Sequence, residues 1–184
     1  MGCAPAGDNM NKSLLTGIAL LTLASAGAHA SNFDRFDRAA QVAASEVILT
    51  GRVAGTSSRW AHDNSAIITE ADVEVTEVWK GAPADVVQLQ TLGGTVGTVM
   101  LRVDGAAEFA VGERVVLFLD EENGSYRPYG MMFGKYEIVG SAPAEFVLGK
   151  LPPAVPGADR YETISASLEE IRLEIQTLVA KETR

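Results

Sequence analysis

Residues 67 to 80 read Ile67-Ile68-Thr69-Glu70-Ala71-Asp72-Val73-Glu74-Val75-Thr76-Glu77-Val78-Trp79-Lys80. Ala71, Val73 and Val75 alternate with Asp72, Glu74 and Thr76. That period of two puts one face of a β-strand on a core and the other in water. The next apolar residue is Val78 and not Glu77, so the phase slips by one residue. A β-bulge produces such a slip, and bulges bend a sheet enough to help it curl into a barrel. Lys80-Gly81-Ala82-Pro83 ends the strand.

Upstream, Val47, Leu49, Gly51 and Val53 share one face against Thr50 and Arg52, a half-buried strand. A short helix over 34–45 precedes it, with Phe33, Phe36, Ala40 and Ala43 at helical spacing. The polar stretch from Thr56 to Ser65 reads as a loop. Downstream, Val87, Leu89 and Thr91 alternate, as do Val99, Leu101 and Val103 beyond the Gly93–Gly97 turn, which suggests that these two runs form a hairpin. Val115 to Leu119 is apolar at every position, so this strand is expected to be covered on both faces. Asn123-Gly124 is hairpin-turn chemistry. Weaker strands follow at 126–129, 136–139 and 145–148.

A proline-rich linker over 151–157 leads to a C-terminal helix at about 167–181. Ser167 and Glu170 are spaced as a capping box, and Leu168, Ile171, Ile175, Leu178 and Val179 form one apolar stripe. That stripe needs a surface, and the sheet face carrying Val116 and Phe118 is the natural one. Seven or eight short strands without βαβ alternation give a mainly β fold. The expected architecture is a small antiparallel OB-like barrel, with a short N-terminal helix and a C-terminal amphipathic helix packed on the sheet.

Gly51-Arg52-Val53, then Val73, Val75 and Val78 followed by Lys80-Gly81, then Gly112-Glu113-Arg114 before an apolar strand, carry a resemblance. The chain resembles exported bacterial proteins with a netrin-module-like OB barrel, the fold shared with tissue inhibitors of metalloproteinases. The resemblance covers Glu46 to Leu119 and the terminal helix. It implies the barrel but not the inhibitory chemistry, because the family's disulfides and N-terminal cysteine are absent here.

The first 30 residues read as a secretory leader. Lys12 precedes an apolar run from Leu14 to Ala28, and Ala28-His29-Ala30 places small residues where the peptidase needs them. Cleavage is expected after Ala30, leaving Ser31 as the new N-terminus of a single domain over 31–184. Asp8 and Pro5 do not suit a leader's start, so translation is expected to begin at Met10 or Met1. The run is too short for a membrane anchor, which needs about 20 apolar residues, and Gly2-Cys3 lacks the context for lipidation. Removal of the leader takes the only cysteine, Cys3, so neither disulfides nor thiolate-bound zinc are expected in the mature domain. A chain of about 150 residues buries close to 70% of its unfolded surface and needs no staples. The net charge of −9 disfavours nucleic acid and anionic membrane as partners. The expected location is the periplasm or the medium, with no stable membrane insertion once the leader is gone.

Chemistry-bearing groups are few. His62, the only histidine outside the leader, lies in a polar loop beside Asp63, with Ser57, Ser58 and Ser65 near it in sequence. Neighbouring residues rarely converge as a catalytic triad, and no nucleophile elbow occurs. Glu70, Asp72 and Glu74 share a strand face that could steer a basic partner. Asp120-Glu121-Glu122 fails the spacing of a calcium loop, and Gly93–Gly97 that of a phosphate loop. Asn123-Gly124-Ser125 is a glycosylation sequon that the hairpin already explains. Tyr126, Tyr129, Met131, Met132 and Phe133 crowd a short irregular stretch, either as an exposed contact site or as a plug for one barrel end. The reading that follows is a non-enzymatic exported binding or structural domain for an extracytoplasmic protein partner, with no metal or cofactor. Its rivals are a hydrolase or metal-dependent enzyme using His62 and nearby acids, and a carrier of an apolar molecule inside the barrel.

Overall fold

The computed structural model describes residues 37–122, 124–151 and 161–182. The expected leader, the first residues of the expected N-terminal helix, Asn123 and nearly all of the proline-rich linker lie outside them. Helix α1 (Arg38–Ala44) is capped by Asp37, whose side chain accepts from the Ala39 amide. The strands follow in order: β1 (Val47–Trp60), β2 (Ile67–Lys80), β3 (Val86–Leu92), β4 (Gly94–Val96), β5 (Val99–Leu101), β6 (Arg114–Glu122) and β7 (Ser125–Pro128). After a 3-10 turn at Met131–Gly134 come β8 (Lys135–Ser141), β9 (Ala144–Leu151), β10 (Glu162–Ser167) and helix α2 (Leu168–Glu182).

Five strands close into a ring in the order β1-β2-β3-β7-β6, because β1 pairs with β6 along its other edge. This is an OB-like barrel, and its one parallel contact is between β3 and β7, Leu89 opposite Tyr126. Strands β8, β9 and β10 extend the sheet beyond β6. The curl has a local cause. Successive pairs run Ile48 with Lys80, Leu49 with Val78, Thr50 with Glu77 and Gly51 with Val75, so β2 carries an extra residue at Trp79 and another at Thr76. The bulge expected from the phase slip is present, but Val78 is exposed and Trp79 is the buried residue. Trp79, the extra residue of the second bulge, enters the outer core beside Ile48.

Strand β6 explains how the domain is held together. Val115, Leu117 and Leu119 point into the barrel with Leu49, Val53, Val73 and Leu89, filling its interior with side chains. Val116 and Phe118 point outward into a second core with Ile48, Trp79, Tyr136, Ile171 and Ile175. Both faces are covered, as its unbroken apolar run requires, and each buried side chain stabilises by roughly 1.5–3 kcal/mol. Helix α2 is therefore docked on the face carrying Val116 and Phe118. Its capping box is formed: Glu170 N donates to Ser167 Oγ, and Ser167 N donates to Glu170 Oε2, both at 3.1 Å. Tyr136 lies across Gly149 so closely that an added Cβ there would stand 2.3 Å from the ring.

Three further expectations are corrected. Strand β1 continues to Trp60, so the loop shrinks to the few residues before Ile67; its outer half is mostly polar and exposed and shows no apolar alternation. The first half of β1 is covered on both faces, because Ile48 and Thr50 are buried as well. Strand β3 pairs with β2 and not with the run beyond Gly97; the hairpin there is the small β4–β5 pair. Strand β10, in a stretch to which the sequence reading assigned no element, is paired with β9 along its length.

Candidate functional site

On the outer face of β2 and β3 the cross-strand pairs form a ladder: Ile68 with Leu92, Glu70 with Gln90, Asp72 with Gln88, and Glu74 with Val86. Alternation puts Ala71 and Val73 inside the barrel, so these residues must face out. Gln90 Nε2 donates to Glu70 Oε1 at 3.2 Å, and Gln88 Nε2 donates to Asp72 Oδ1 at 3.1 Å. Arg59 grips the same Glu70 oxygen through Nε and Nη2 at 2.9 and 2.7 Å. Glu70 thus has a counter-ion, Asp72 is hydrogen-bonded to a neutral amide, and Glu74 is exposed opposite Arg52 of β1.

At the Ile68–Leu92 end the ladder opens into an apolar groove of about 160 Å³, closed on its far side by Arg127, Pro128 and Met131. Met131 is 43% exposed. Its backbone is unusual: Gly130 and Met131 both take left-handed φ, 65° and 64°. Glycine does so freely, but for another L-residue the left-handed region costs about 1–2 kcal/mol.

The other four members of the expected contact cluster are placed differently. Phe133 is buried, edge-on to Tyr161 at 5.8 Å between ring centroids, and its carbonyl accepts from Gln41 Nε2 at 2.8 Å. Tyr126 packs against the barrel interior and Tyr129 against the outer core. Met132 is half-buried. The plug and the surface are thus both present, and Met131 is the member of the cluster exposed on the surface. Sequence reasoning missed Ile68 and Leu92. Their signal was available, since each sits in phase with the outward polar residues of its strand.

His62 stands exposed in the turn between β1 and β2. Its neighbour Asp63 accepts from the Ser65 hydroxyl at 2.6 Å and the Ser65 amide at 3.0 Å, and these two bonds hold the carboxyl below its ordinary range. The acid that would orient His62 is engaged by Ser65. Among the described residues, no three His, Cys, Asp or Glu side chains stand close enough to hold a metal ion, and no helix is long and apolar enough to cross a membrane. No protein-family model matches the chain, and no curated protein matches its sequence.

Proposed function

We propose that the chain is an exported, non-enzymatic protein-interaction module that receives a basic, apolar segment of an extracytoplasmic partner on the outer face of β2 and β3. The observation that carries this reading is the continuity of that face. The groove at Met131 supplies an apolar seat, and the ladder leading from it carries acid charge at Asp72 and Glu74. Apolar side chains grouped on a rigid strand pair bury area on binding at small conformational cost, and excess acidic charge favours a partner rich in Lys or Arg. The strained backbone at Met131 adds support, because strain of this kind concentrates where function requires a side chain to be presented.

A random-peptide display panned on the full chain tests the reading. Enriched sequences should pair a large apolar residue with flanking Lys or Arg, and should be lost from a parallel selection on Met131→Gly. Enrichment of acidic or purely polar peptides, or identical selections on both proteins, would overturn it.

A further inference from the structure

Beneath the first turn of α2 lies a second cleft, of about 310 Å³, which the protein-binding face does not use. Its floor is the outer sheet face at Thr50, Trp79 and Ile138, where the two bulges displace β2. Two ion pairs flank it. Arg172 of α2 binds Glu77 of β2 and approaches Glu169 at 3.5 Å. Arg114 of β6 binds Glu145 of β9 and donates to the Gly140 carbonyl. A guanidinium has five N–H donors, so each arginine keeps donors beyond those already engaged.

Two of the four buried polar side-chain atoms that lack a hydrogen-bond partner among the described residues belong to this lining, Trp79 Nε1 and Arg172 Nε. Trp79 is 7% exposed. An N–H shut away from both water and acceptor is costly and calls for an explanation.

We propose that this cleft binds a small zwitterion the size of an amino acid or dipeptide, with its carboxylate on Arg114 and Arg172 and its ammonium on the flanking glutamates. The volume corresponds to about ten waters at roughly 30 Å³ each. A simple anion meets three carboxylates here and a simple cation meets two guanidinia. A ligand carrying both charges finds a partner for each.

Trp79 reports occupancy once Trp60, the only other tryptophan, is replaced. In full-length Trp60→Phe, glycylglycine should change the Trp79 emission saturably. N-acetylglycine, which lacks the ammonium, and glycinamide, which lacks the carboxylate, should bind at least about tenfold more weakly. Adding Glu77→Gln and Glu145→Gln should weaken glycylglycine by the same margin. Saturation transfer from the unaltered chain to glycylglycine, measured by NMR, decides the matter even where a variant fails to fold. Equal responses to the three probes, or no transfer to glycylglycine, would overturn the proposal.

Discussion

Gln90 donates to Glu70 at 3.2 Å while lining the groove that holds Met131. The apolar seat and the acidic ladder are therefore joined by one side chain, and a segment lying along β2 and β3 meets both. Arg59 offsets the charge of Glu70. The steering charge falls to Asp72 and Glu74.

That division sets a kinetic expectation. Asp72→Asn with Glu74→Gln should slow association of a basic peptide and leave dissociation nearly unchanged, since exposed charges act mainly on encounter. Raising salt from low ionic strength to about 0.15 M, where screening acts within about 8 Å, should have the same effect on the parent protein. Stopped-flow binding at two salt concentrations measures both. A change confined to dissociation would mean that these acids touch the partner directly.

Ile175 is fully buried between α2 and the sheet. Ile175→Asp places an unpaired charge there, which should cost about 3–5 kcal/mol and lower the melting temperature by about 10 °C or more. Thermal unfolding followed by circular dichroism checks it. An unchanged melting curve would mean that α2 leaves the sheet in solution.

Tyr136 donates to Gln41 Oε1 at 3.1 Å and accepts from Arg38 Nη1 at 2.8 Å, tying α1 to the outer core. Burial raises its phenol above the ordinary value of 10.0, against the opposing pull of Arg38. Above that value the unfolded chain releases the proton and the folded one retains it, so this group's contribution is constant below pH about 10 and falls as pH rises beyond it. Tyr136→Phe should cost about 1–3 kcal/mol at neutral pH through the bonds it leaves unmade, and should flatten the alkaline decline. Denaturant titrations across the alkaline range test this. Equal alkaline slopes in the two proteins would count against it.

Much of the fold is legible in the residues. An unbroken apolar run at 115–119 forces two covered faces, Ser167 with Glu170 sets the start of α2, and the phase slip after Val75 marks a bulged strand. What could not be read has physical reasons. The outer half of β1 is mostly polar and held by backbone pairing, and β10 offers only Ile164 and Ala166 against the outer core, too short an apolar period to stand out. Strand β3 pairs back onto β2, the strand before it, and meets β7 on its other edge through barrel closure, which leaves the run beyond Gly97 to the small β4–β5 pair. In the contact cluster, residue type could not separate Phe133, which plugs, from Met131, which is presented. Only the left-handed turn at Gly130 and Met131 does that, and sequence gives no hint that a methionine will adopt it.

Residues 1–30 lie outside the described part of the chain, so export rests on the leader's pattern. N-terminal sequencing of the protein recovered outside the cytoplasm should begin at Ser31. An intact start at Met10 or Met1, recovered with the membrane, would contradict it.

If Met131 is held in a strained turn in order to be presented to a partner, strain and binding must trace to the same residue. Met131→Gly separates the two effects, because glycine relieves about 1 kcal/mol of backbone strain while removing the side chain. Isothermal titration of the best display-selected peptide against parent and variant, with melting temperatures taken on the same samples, is the most direct test. The expected result is at least about a tenfold loss of affinity, or about 1.4 kcal/mol, with melting unchanged or raised. Undiminished affinity in a normally folded variant would mean that Met131 does not seat the partner.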